Sequence, residues 1–248
     1  MNYHDIKVAA DYNNNLDIWV DGRQRASKIH VLCNDTVLEI GPGPGTLTVF
    51  YSPNVQHVTC VEPSPIMRDF LATNCLLRDC ANIQIVDSTF EKYQSDKRFD
   101  VTIASYSLLM DDLVTVLDKI LRLTSRHVYL YTFAGIPAWN QQCIDVLSVL
   151  DRQDLITSRM KKDVAREICD YLNRHNIAYH MTKSGDTQFN KVYTTLNEAV
   201  DALQKRIHEY IFAPHEILES YVREHYKKIG DCYMYLDTTH YVRIDWDM

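Results

Sequence analysis

An α/β fold built on a mostly parallel, doubly wound sheet is what this sequence predicts, and three observations predict it. Short apolar runs and amphipathic helical stretches alternate five times over residues 36–132. The runs are continuous rather than alternating, the pattern of strands buried on both faces. A glycine cluster follows the first run directly: Gly41, Gly43 and Gly45, three of the chain's 7 glycines, fall within five residues. Glycines there let the backbone turn sharply and leave no Cβ between main chain and a ligand.

Residues 1–35 precede the first core strand. Asp11–Asn15 is turn-like, and Leu16–Val20 begins a helix expected to break near Gly22. A second helix is expected over Arg23–His30. Strand one, Thr36–Ile40, runs into the glycine loop, and Thr46–Phe50 opens a short helix stopped by Pro53. The amide end of that helix faces whatever sits over the loop. Strand two, His57–Val61, delivers Glu62 at its carboxyl end. Ser64-Pro65 reads as N-cap and first helical residue, and Ile66, Phe70, Leu71 and Cys75 continue an apolar stripe.

Strand three, Asn82–Val86, ends at Asp87; strand four, Phe99–Ala104, opens into Ser105-Tyr106-Ser107. Asp111–Thr124 is an amphipathic helix with Leu113, Leu117, Ile120 and Leu121 on one side, and Asp111 or Asp112 suits its cap. Strand five, His127–Thr132, begins with a histidine at the wrong end of the sheet for catalysis. In sheets of this kind ligands bind beyond the carboxyl ends of the strands, where the strand order reverses. Gly41, Glu62, Asp87 and Ser105 all stand at such ends.

After Gly135-Ile136-Pro137 the chain becomes helix-rich, with helices expected over 140–150 and 158–175. Ile177–Thr182, Ser184-Gly185-Asp186 and Phe189–Thr194 read as strand, turn, strand. Thr195 and Glu198 make a capping box for a helix striped by Val200, Leu203, Ile207 and Ile211. A further helix starts at Pro214 and is stopped by Gly230. Asp231–Leu236 and His240–Trp246 read as a closing hairpin.

The chain of 248 residues is long enough for one large domain with an insertion. No apolar run approaches the roughly 20 residues that cross a bilayer, so no membrane partner is expected. Met1 to Ala10 lacks the basic and apolar regions of a signal peptide, which predicts cytoplasmic residence. The 7 cysteines are scattered without a C-x-x-C, and none of the 10 histidines makes an H-x-x-x-H pair, so no metal site is expected. A formal net charge of -7 argues against a nucleic-acid partner, whose recognition needs a basic face. The oligomeric state is open; a homodimer is compatible with the sequence.

The glycine loop fits the dinucleotide fingerprint G-x-G-x-x-G poorly, because Thr46 stands where the third glycine belongs. Glu39 two residues before Gly41, and Glu62 about 20 residues beyond the loop after a second strand, instead resemble motif I and its acidic partner in class I S-adenosylmethionine (SAM)-dependent methyltransferases. That resemblance covers residues 36–132, and 213–248 by topology.

It implies a seven-stranded, mostly parallel sheet with helices on both faces, closed by an antiparallel hairpin, with a helix-rich α+β insertion after strand five. It further implies a lid over 1–35, a SAM-binding core over 36–135 and 213–248, and a substrate-capping subdomain over 136–212. SAM is the implied cofactor and S-adenosylhomocysteine (SAH) its product. Glu39, Gly41, Gly43, Glu62, Asp87, Ser88 and Ser105 are implied to line the SAM pocket. Glu62 would accept from the ribose hydroxyls and Asp87 from the adenine amino group, beside the Ser88 amide and Phe90. Arg23 is a candidate for the methionine carboxylate.

Tyr106 is the candidate catalytic residue, because the loop after strand four lies beside the transferable methyl. Tyr12, Trp19, Tyr106, Phe133 and Trp139 are candidate substrate contacts. The Asp/Asn-Pro-Pro-aromatic tetrad of enzymes that methylate nucleobase amines is missing after strand four. The expected activity is methyl transfer to an O, N or C nucleophile of a small molecule. A transfer RNA or protein methyltransferase, and a non-catalytic SAM-binding subunit, are the alternatives.

Overall fold

A computed structural model describes residues 5–108, 110–184 and 189–248. In chain order the elements are α1 (Ile6–Asn13), α2 (Leu16–Ala26), β1 (Thr36–Ile40), α3 (Thr48–Tyr51), β2 (His57–Val61), α4 (Pro65–Leu77), β3 (Ile83–Val86), β4 (Phe99–Ser105), α5 (Leu113–Leu123) and β5 (Thr124–Ala134). There follow α6 (Ala138–Val149), α7 (Val164–Arg174), β6 (His180–Lys183), β7 (Lys191–Tyr193), α8 (Leu196–Ile207), α9 (His215–His225), β8 (Lys227–Ile229), β9 (Cys232–Tyr235) and β10 (His240–Asp247).

The chain forms two compact units: residues 1–132, 164–187 and 241–248, and residues 133–163 and 188–240. The first holds a seven-stranded sheet in the order β3-β2-β1-β4-β5-β10-β6. From β1 the chain steps outward to β2 and β3, then returns to place β4 on the other side of β1. That reversal opens the crevice where such sheets bind ligands. Strands β1 to β5 pair in parallel. Their central side chains are shut from water: Val37, Val58, Val101, Ile103 and Val128 are each 0% exposed. Burial on both faces is why these runs lack polar alternation, and each such side chain contributes roughly 1.5–3 kcal/mol. The expected stripe of α5 is buried at Leu113, Leu117 and Ile120, and Asp112 caps the helix by accepting from the Thr115 amide at 3.0 Å.

Four expectations need correction. The first is the break at Gly22: α2 runs unbroken through it. A Cβ there would lie 2.0 Å from the Thr46 carbonyl oxygen, so the glycine is a point of close approach and not a breaker. The second is the closing hairpin, for β9 and β10 are not partners. β10 pairs antiparallel with β6, with Ile244 opposite Met181. It also joins β5 antiparallel, since the amide of Met248 donates to Arg126 at the start of that strand.

The third is the strand-turn-strand reading of 177–194: β6 joins the main sheet and β7 the second unit. The Gly185-Asp186 part of the expected turn lies outside the described residues. The fourth concerns boundaries. Residues 164–184, expected in the insertion, belong to the first unit, and 213–240, expected in the core, belong to the second. An exposed short strand such as His180–Lys183 carries no burial pattern in the sequence, so its partner could not be read there.

The second unit has its own antiparallel sheet, β7-β9-β8, and its own core. Val200, Leu203 and Ile207 of α8 pack there with Leu218 and Val222 of α9 and with Tyr221, Tyr226, Tyr233 and Tyr235. The capping box forms: the Glu198 amide donates to the Thr195 hydroxyl at 3.1 Å, and the Glu198 carboxylate accepts from the Thr194 amide at 2.8 Å.

His127 clamps β5 to β10. Its Nδ1 is 2.7 Å from the Asp247 carboxylate, its Nε2 3.5 Å from Asp245, and its ring lies 4.2 Å from that of Tyr129. Burial opposes the imidazolium, but the carboxylates of Asp245 and Asp247 outweigh it and raise its pKa. A raised folded-state pKa gives stability that is full below the unfolded value, about 6.5, and lost as pH rises through the folded value. Denaturation at stepped pH should therefore show stability falling from about pH 6.5 upward, and His127→Gln should flatten that limb. An identical limb in the variant would remove His127 as its cause.

Candidate functional site

The strand register sets four residues in one row. Ile40 lies opposite Val61 on one side and Ala104 on the other, and Val61 lies opposite Val86. The next residue on each strand is Gly41, Glu62, Ser105 and Asp87. Two ladder bonds extend into the row: Gly41 donates to the Val61 carbonyl at 2.9 Å and Glu62 to that of Val86 at 3.1 Å. Neighbouring strands stand about 4.8 Å apart, so the row spans the crevice on both sides of the chain reversal.

Gly41, Gly43 and Gly45 all have positive φ, of 61°, 58° and 87°. At Gly41 a Cβ would stand 2.6 Å from that of Ser107, whose hydroxyl donates to the Ile40 carbonyl at 2.5 Å. At Gly43 a Cβ would meet no described heavy atom within 4 Å. The loop is thus wedged on one side and open on the other.

Glu62 is 6% exposed and accepts from the Gly43 amide at 3.0 Å and the Ser64 amide at 2.9 Å. Its carboxylate thereby ties the glycine loop to the start of α4. Asp87 is exposed and ion-paired to Arg68 at 2.7 Å; Arg68 also donates to the Glu62 carbonyl at 3.0 Å. Ser88 begins the turn after β3, its hydroxyl donating to the Thr89 carbonyl at 2.9 Å.

Glu39 stands apart from this row. It is 1% exposed and accepts from the Tyr51 hydroxyl at 2.6 Å. Burial pushes its carboxyl up to about 7, held back by the Tyr51 and Thr48 hydroxyls. The structure makes it an internal brace between β1 and α3.

Tyr106 takes a positive φ of 56°, which costs a non-glycine residue about 1 kcal/mol. Its amide donates to the Tyr131 carbonyl at 2.8 Å, its hydroxyl lies 3.0 Å from that of Ser184, and its ring meets Tyr241 edge-on at 5.7 Å. Burial raises its pKa strongly, so the phenol stays neutral at physiological pH. In that form it can shape the site and donate a hydrogen bond.

The N-terminal helices lie against the loop. Asn74 of α4 donates to Asn13 at 2.9 Å and to the Pro44 carbonyl at 2.8 Å. Tyr12 faces Thr46, Arg25 and Asp21; burial raises its pKa against the pull of Arg25. Arg25 was not singled out in the sequence, yet it is 2% exposed, bonds Asp21 at 2.7 Å, donates to the Ser105 hydroxyl and covers the Tyr106 ring at 4.8 Å. The expected arginine, Arg23, is exposed instead. Helical spacing is the signal that could have found the pair: Asp21 and Arg25 are i and i+4 on one face.

Trp19 is placed among packing partners: its indole donates to the Asn13 carbonyl at 2.6 Å and its ring meets Phe50 at 6.2 Å and Arg78 at 5.2 Å. Phe133 and Trp139 belong to the second unit, where their rings meet edge-on at 5.0 Å.

Residues 37–127 match the family model described as a methyltransferase domain. Solved structures share the fold. The YcgJ protein of Bacillus subtilis superposes with a TM-score of 0.60 at 14% identity, covering 92% of this chain and 99% of that one. A candidate methyltransferase of Bacillus halodurans C-125 gives 0.57 at 13% identity, covering 91% and 97%. DhpI in its SAH complex gives 0.52 at 14% identity, covering 75% and 89%. No curated protein matches the chain in sequence.

The strand order, the glycine loop and the acid at the end of β2 define the class I, SAM-dependent methyltransferase architecture. Residues 37–127 of the chain carry a methyltransferase domain of that kind.

Proposed function

We propose that this chain transfers the methyl group of SAM to a small-molecule acceptor through an O, N or C nucleophile. The observation that carries the reading is the row of Gly41, Glu62, Asp87 and Ser105 on one edge of the sheet. The residues fit the cofactor: Gly43 leaves open space over the loop, and the Glu62 carboxylate, an acceptor by its chemistry, stands beside it. DhpI, a fold relative, was solved with SAH.

In this reading Glu62 accepts from both ribose hydroxyls, Asp87 accepts from the adenine amino group, and the Ser88 amide meets a ring nitrogen. Gly41 and Gly43 let the main chain approach the methionine portion, while Ser105 and Tyr106 border the methyl. SAM supplies an electrophilic methyl on a sulfonium. The protein's part is to hold acceptor and methyl in line and to keep water away. Tyr106, locked by Ser184 and Tyr241, positions the acceptor as a neutral wall. Residues 5–35 form the lid, and Tyr12 contributes a hydroxyl near Thr46.

The net charge of -7 supports a small acceptor over a polynucleotide. No helix of the described residues is long and apolar enough to cross a membrane, and the reading places the enzyme in the cytoplasm.

SAH at about 100 times its Kd should stabilise the fold by roughly 2.7 kcal/mol. At about 2–4 °C per kcal/mol for a protein of this size, the Tm should rise by roughly 5–11 °C. NAD should leave it unchanged. A flat response to both SAM and SAH defeats the assignment.

A further inference from the structure

Lys119 of α5 is 9% exposed and faces no carboxylate at bonding distance among the described residues. Its ammonium instead donates to three main-chain carbonyls of one short loop: Phe90 at 2.6 Å, Glu91 at 3.2 Å, and Tyr93. The same nitrogen lies 4.8 Å from the Phe90 ring centre and 5.9 Å from that of Tyr93. An ammonium has three donors, and all three are spent on this loop. A buried cation satisfied only by carbonyls and π-faces is costly to desolvate. Its position therefore calls for a reason beyond packing, since a methionine would fill the same space.

The loop it gathers begins one residue after Asp87. Its backbone turns on itself, the Ser88 amide donating to the Val86 carbonyl at 3.1 Å and the Lys92 and Tyr93 amides to the Thr89 carbonyl at 3.2 and 3.0 Å. Phe90, at its centre, is 2% exposed. The bonds within the turn leave the Phe90, Glu91 and Tyr93 carbonyls to Lys119. Drawing three carbonyls toward α5 sets how the peptide planes of the turn face, and with them the presentation of Asp87 and Ser88 at the end of β3.

We propose that Lys119 is a positioning residue for nucleobase selection: by holding the 88–93 turn it fixes the geometry with which Asp87 and Ser88 read the adenine of the cofactor. The inference rests on the SAM reading above. Its own content is that base discrimination, and not affinity alone, depends on a side chain that does not touch the base.

The test is the ratio of Kd values for SAH and for its inosine analogue, which replaces the adenine amino group by a carbonyl. Asp87 accepts from the amino group and opposes the carbonyl, so the wild type should prefer SAH by about tenfold or more. In Lys119→Met the ratio should fall to within about threefold of unity, because the turn no longer aims Asp87. Lys119→Arg keeps the charge and the fold but spreads its donors over three nitrogens, so its ratio should fall in between. The arginine variant also serves if the methionine variant does not fold. A purely structural lysine would weaken both ligands equally, and a wild-type ratio in either folded variant overturns the proposal. Wild-type protein that binds neither ligand overturns the SAM reading itself.

Discussion

Replacing Arg25 by methionine is expected to destabilise the protein by about 3–5 kcal/mol, because it strands the buried Asp21 carboxylate. For a chain of this length that amounts to a fall in Tm of roughly 6–20 °C. Burial already raises the Asp21 pKa against the opposing influence of Arg25, so without the arginine the carboxyl would take up a proton or meet water. The effect should reach the strand tips too. Arg25 donates to Ser105 and stacks on Tyr106 at 4.8 Å and Tyr131 at 5.7 Å, and its own carbonyl accepts from the Tyr131 hydroxyl at 2.9 Å. The double variant Asp21→Asn/Arg25→Met removes both charges and should recover much of the loss, a coupling that a double-mutant cycle measures. A single variant that loses less than about 1 kcal/mol would show that the ion pair does not anchor α2.

Glu62→Ala should abolish most ligand stabilisation. The carboxylate would accept two ribose hydroxyls, and hydrogen bonds to a charged group contribute about 1.5–3 kcal/mol each. The expected loss in SAH affinity is therefore about 3 kcal/mol or more, at least a hundredfold. Titration calorimetry reads this directly. The unliganded fold should lose stability as well, because the carboxylate now accepts from the part-buried Gly43 amide and the buried Ser64 amide, which the alanine leaves without that acceptor. Glu62→Gln keeps the acceptor oxygen and should fall between the two. An alanine variant with wild-type affinity would move the ribose site elsewhere.

These two residues differ in how they could be found. Glu62 was legible because it ends an apolar run about 20 residues beyond a glycine loop, and both features are local. Asp87 and Ser105 were legible for the same reason: a polar residue closing a buried strand marks the sheet edge where ligands bind. Glu39 was legible as part of the motif, but its role as a buried brace depends on Tyr51, twelve residues away across the loop. Arg25 was read as an ordinary helical residue and Gly22 as a helix breaker. What makes them special is the loop packed against them: Thr46 at Gly22, Ser105 and Tyr106 at Arg25. Lys119 carried no signal, since its partners are main-chain carbonyls nearly thirty positions back in the chain.

By itself, then, the sequence determined the strand-helix alternation, the parallel sheet and the residues at its carboxyl edge, because burial on two faces and a glycine turn leave their mark within a few residues of chain. Only the tertiary structure decided which strands closed that sheet, that α2 runs through Gly22, and that Arg25 and not Arg23 reaches the strand tips. Each of those is a choice of distant partner, settled by close approach and by the desolvation of charge, and neither quantity exists until the chain has folded.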